Sequence, residues 1–80
     1  MNEESVLTLE SQIRGAVDLA VGIMMRTKDF NQIPPQSREI ALTAIEDYEK
    51  MREIAIGIID KKKLELYDNQ IKQAREYFEA

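Results

Sequence analysis

Two acidic pairs, Glu46 with Asp47 and Glu49 with Glu53, are the side chains with which this sequence could run general acid–base chemistry. Each of these acids has a lysine or arginine three or four residues away on a helical pattern, which is the spacing of an ordinary ionic face in solvent. Asp18 stands alone in an apolar stretch, and one carboxylate is too little to define a hard-cation site. The chain has no cysteine and no histidine, so thiolate chemistry, disulfides, Cys/His zinc sites and the usual neutral-pH proton shuttle are excluded together. No glycine-rich phosphate loop, nucleophile elbow or metal-binding helix motif is present. These residues describe a protein that is not an enzyme, and no cofactor is implied.

The arginines are more informative. Along a helix, Arg14 has Glu10 and Asp18 as neighbours, Arg52 has Glu49, Arg75 has Glu79 and Arg26 has Asp29, and each such pair contributes a few tenths of a kcal/mol. Arg38 has none. Its helical neighbours are Pro34, Pro35, Ala41 and Leu42, and the adjacent Glu39 points elsewhere. A cation in the first turn opposes the positive end of the helix dipole, so Arg38 is either a wet surface residue or one arm of an anion site. Such a site would combine Arg38, the Ser37 hydroxyl and the free amides of the helix start.

The elements that position these residues are helices. Few glycines and prolines and no regular alternation of polarity argue against sheet. Helix one is expected over about 3–27, with Val6, Leu9, Ile13, Ala16, Ala20 and Ile23 on one face. From Gly15 to Met25 it is apolar nearly all round, which predicts burial nearly all round. Gly15 and Gly22 share one side, where they either admit another backbone or are simply tolerated. The chain breaks at DFNQIPPQS, with the turn over about 28–34, and Pro35 suits the first helical position or Ser37 the cap.

Helix two is expected over about 35–59, antiparallel to the first, with Ile40 or Ala41, then Ala44, Tyr48, Met51, Ala55 and Ile58 facing inward. Past DKKK the stripe Leu64, Tyr67, Ile71, Ala74 and Phe78 lies roughly 150° around from that face. A bend or break near 60–63 is therefore expected, giving a third helix over about 61–79 that Asp60 could cap, or else a bent extension of helix two. Tyr48 and Tyr67 read as core residues and Met24, Met25 and Met51 as packing residues.

Eighty residues make a single all-α domain, an antiparallel helical hairpin plus a C-terminal helix, with a thin core. The hairpin should leave part of the last helix uncovered, which predicts a homo-oligomer assembled through helix one and the last helix, with Tyr77 and Phe78 in the contact. A net charge of −4 argues against binding to DNA or RNA polymers. The opening MNEES is unlike a signal peptide and AVDLAVGIMM is too short for a membrane span, so a cytoplasmic location is expected.

The stretch from Pro34 and Pro35 through Ser37, Arg38, Glu39, Ala41, Leu42, Thr43, Ile45, Glu46 and Asp47 resembles the helical-hairpin module of phage anti-defence sponge proteins, which counter the CBASS and Thoeris immune systems. The resemblance covers about residues 10–59. It implies a non-catalytic helical oligomer, often a hexamer, that sequesters cyclic di- or trinucleotide signals in pockets between protomers. It also places Arg38 against phosphate and adds Thr43 to Arg38 and Ser37 as a ligand-binding residue. The alternative from the residues alone is a small helical protein that inhibits or adapts a partner protein through its apolar helix faces.

Overall fold

The computed structural model describes residues 2–80 and shows three α-helices: α1 Glu3–Thr27, α2 Pro35–Ala55 and α3 Lys61–Glu79. No strand occurs among the described residues. α1 starts where Asn2 accepts a hydrogen bond from the Ser5 amide (2.8 Å), with Glu3 and Glu4 at its positive end. α2 starts with Pro34 as its cap and Pro35 as its first helical residue, so Ser37 is not the cap.

α2 ends at Ala55, earlier than the apolar pattern suggested. Gly57 adopts φ 83°, a left-handed conformation that costs a side-chain-bearing residue roughly 1–2 kcal/mol. The turn is tied by hydrogen bonds from the Ile58 and Ile59 amides to the Ala55 carbonyl (2.9 and 3.0 Å). Ile58 is thereby turned outward, against expectation, and Ile59 takes the buried place. α3 is thus a separate helix. The Asp60 carbonyl accepts from the Leu64 amide (3.1 Å), but the Asp60 side chain makes no capping bond.

All three helices touch one another around one core. α1 contributes Leu9, Ile13, Val17, Ala20, Ile23 and Met24, and α2 contributes Ala41, Ala44, Ile45, Tyr48 and Ala55. Ile40 is exposed and Met51 half-buried. Leu64, Tyr67, Ile71, Ala74 and Phe78 are all buried, so α3 closes the hairpin's open side and the two stripes cover each other within one chain. This overturns the expectation of an uncovered last helix. Phe78 in particular is fully inside rather than at a contact between chains. A buried Leu, Ile or Phe stabilises the fold by about 1.5–3 kcal/mol.

α1 is not buried all round either. Gly15, Leu19 and Met25 face outward, because two neighbouring helices cover only part of its circumference. No backbone approaches the two α1 glycines. A Cβ at Gly15 would meet nothing within 4 Å, and one at Gly22 would meet only the Arg26 guanidinium.

Among the described residues the ion pairs run between helices rather than along them. Glu10 holds Lys63 (2.7 Å), Glu49 holds Arg75, and Arg52 holds Asp68. Arg14 pairs with neither Glu10 nor Asp18; it lies beside the Tyr67 phenol, which raises the guanidinium pKa further. No helix among the described residues is long and apolar enough to cross a membrane.

Candidate functional site

Arg38 lies half-buried in the first turn of α2 and makes no ion pair among the described residues. The helix start around it offers fewer donors than expected. Pro34 and Pro35 carry no N–H, and the Arg38 amide already donates to the Pro34 carbonyl (3.0 Å). Only the Gln36 and Ser37 amides remain free of intrahelical partners.

Arg38 forms the wall between two grooves. One, about 590 Å³, is lined by Ile33, Pro35, Leu42 and Thr43 and also by Glu39 and Glu46. The exposed Thr43 therefore shares its groove with two carboxylates, which repel an anion. The other groove, about 620 Å³, is lined by Lys28, Phe30, Asn31, Gln32, Ile33, Arg38, Tyr77 and Ala80; it contains two cations and no acidic side chain, with the Ala80 carboxyl group at its edge. Ser37 lines neither groove. Of the three residues singled out in the sequence, Arg38 and Thr43 meet on the acidic side, and only Arg38 reaches the cationic one.

The second groove is built where the end of α1, the turn and the last turn of α3 converge. Lys28 follows the carboxyl end of α1, where the helix dipole favours a cation. The Thr27 hydroxyl donates its single proton to the Ile23 carbonyl (2.8 Å), so the Tyr77 hydroxyl donates to Thr27 across their 2.9 Å contact. That bond fixes the Tyr77 ring, which also stands edge-on to Phe78 with centroids 4.9 Å apart. Phe30 is 62 % exposed. Lys28, Phe30, Asn31 and Gln32 were not singled out in the sequence as ligand residues, and Tyr77 was expected at a contact between chains instead. Phe30, a lone aromatic in a polar turn, was the available signal, whereas Tyr77 arrives from the far end of the chain.

The acidic pairs lie on the surface. Glu46, Asp47, Glu49 and Glu53 are all exposed, and Glu49 is engaged by Arg75. Among the described residues no three acidic side chains gather as a metal site requires. A separate polar cluster joins α2 to α3. Asp68 accepts from Arg52 Nε and Nη2 (2.7 and 2.9 Å) and from the buried Tyr48 hydroxyl (2.5 Å). The Arg52 bonds hold the Asp68 carboxyl below its ordinary range against the opposing effect of burial, while burial first and then Asp68 push the Tyr48 phenol well up.

Comparison with known protein families, characterised proteins and solved structures finds no match to any of them.

Proposed function

We propose that the groove bounded by Lys28, Phe30 and Arg38 binds a phosphate-bearing nucleotide without turning it over. Lys28 and Arg38 meet the phosphates, Phe30 offers its ring to a base, and Asn31 and Gln32 hydrogen-bond to base edges. The observation that carries this reading is two cations and an exposed aromatic ring around one groove free of acidic side chains, in a chain that is acidic as a whole. The groove is also of ordinary ligand-site size. The hairpin's likeness to anti-defence sponge proteins supports cyclic di- or trinucleotides as the ligand class and sequestration as the outcome. Since one chain supplies the whole lining, the reading does not require the oligomer that the likeness implies.

Thermal unfolding with a panel of cyclic di- and trinucleotides, and with inorganic phosphate as control, tests it. A ligand at a hundred times its dissociation constant adds about 2.7 kcal/mol, which moves the midpoint of a domain this size by roughly 10 °C or more. Arg38→Ala and Phe30→Ala should each abolish the shift. No shift with any panel member overturns the proposal.

A second reading, an inhibitor or adaptor of another protein, is favoured by a different observation. Leu7, Ile54, Ile56, Ile58 and Leu66 are all exposed near the end of the bundle where α1 begins, α2 stops and α3 starts.

A further inference from the structure

The outward face of α1 has a pattern that reads the same in both directions. Leu7, Ser11, Arg14, Asp18, Gly22 and Met25 fall within about 80° of one another around the helix axis. Five of the six are exposed and Gly22 is half-buried. Leu7 and Met25 stand nine residues either side of Ala16, and Arg14 and Asp18 stand two either side. Ser11 and Gly22, five and six away, are both small.

We infer that this face pairs antiparallel with the same face of a second copy, about a two-fold axis level with Ala16. A two-fold contact requires a self-complementary surface, in which each residue meets the one equally far from the axis on the other side. Arg14 then faces Asp18 of the second copy, twice over, and Leu7 faces Met25 at both ends. Ser11 and Gly22, one residue out of register across the axis, are both small, which lets the backbones approach to the close end of the usual 8–10 Å helix spacing.

The charges are available for this. Among the described residues Arg14 and Asp18 form no ion pair, and Glu10 is taken by Lys63. The apolar ends are available as well, with Leu7 60 % and Met25 58 % exposed. The run from Leu7 to Met25 is about 27 Å long, well over half of the molecule's 45 Å length. This inference is independent of the nucleotide groove.

Charge reversal tests it. By light scattering over a concentration series, the unaltered protein should be a dimer. Arg14→Asp and Asp18→Arg should each raise the dimer dissociation constant at least tenfold, with the circular dichroism of a folded bundle retained. An equimolar mixture of the two variants, and the double variant in one chain, should dimerise again, because each restores opposite charges across the axis. Since the chain has no cysteine, Ser11→Cys and Gly22→Cys chains mixed and oxidised should cross-link to each other. A protein monomeric at every concentration overturns the inference, and so does a dimer indifferent to the single reversals.

Discussion

The Tyr48–Asp68 contact allows a quantitative test of how α2 and α3 are joined. Tyr48 is 1 % exposed with Asp68 in place, whereas the Arg52 and Asp68 side chains are 39 % and 32 % exposed. Asp68→Ala therefore removes two unequal things. It strands a buried hydroxyl, which costs about 1–3 kcal/mol, and it removes a solvent-screened ion pair worth about 1 kcal/mol at most. The expected loss is about 2–3 kcal/mol. In a Tyr48→Phe background nothing is stranded, and the same truncation should cost under about 1 kcal/mol. The two single variants and the double variant then show a coupling of about 1.5–2 kcal/mol. Any gain in helix propensity from alanine at position 68 cancels in the cycle. Urea unfolding followed by far-ultraviolet circular dichroism measures it, provided the slopes agree across the four proteins. Equal costs for Asp68→Ala in both backgrounds would refute the reasoning, since the hydroxyl would then be finding another partner.

Two more outcomes follow from the fold. Asp68 and Glu10 both have depressed pKa values, from the Arg52 and Lys63 hydrogen bonds respectively, so the stability they contribute is present above about pH 4 and lost as pH falls through the folded-state values. The urea midpoint should fall below pH 4 and fall less steeply in Asp68→Asn; a midpoint flat from pH 5 to 2 contradicts this. Gly57→Ala should cost about 1–2 kcal/mol because of its left-handed backbone, while Gly15→Ala, in open space on a helix, should add about 0.5–1 kcal/mol. Thermal melts that give both changes the same sign would contradict the turn geometry.

How far the sequence could be read depends on which forces acted locally. The limits of α1 were legible because acids open it and a polar, proline-marked turn closes it. The stripe of α3 was legible from its three-four spacing. The end of α2 was missed because Ile54, Ile56, Ile58 and Ile59 prolong the apolar pattern past the true stop. Gly57 was the usable sign, as the residue type that tolerates a left-handed helix stop. The error about coverage had another origin. A change of stripe phase reads equally well as a partner's surface or as a third helix folding back, and only three-dimensional packing separates the two. Arg38 could be singled out from its lack of helical partners. Its company could not, since Tyr77 and Lys28 reach the groove through tertiary structure, and long-range partners took Arg52, Glu10 and Glu49 from the neighbours that spacing assigned them.

The clasp between Thr27 and Tyr77, beside the fully enclosed Phe78, has a consequence for cooperativity. Helices ordinarily loosen from their final turn, and small bundles lose order piecemeal from there. Here that turn is sealed against the opposite end of the first helix, so unravelling α3 from its tail means parting it from α1 as well. The tail of α3 is therefore expected to loosen together with the end of α1 rather than alone.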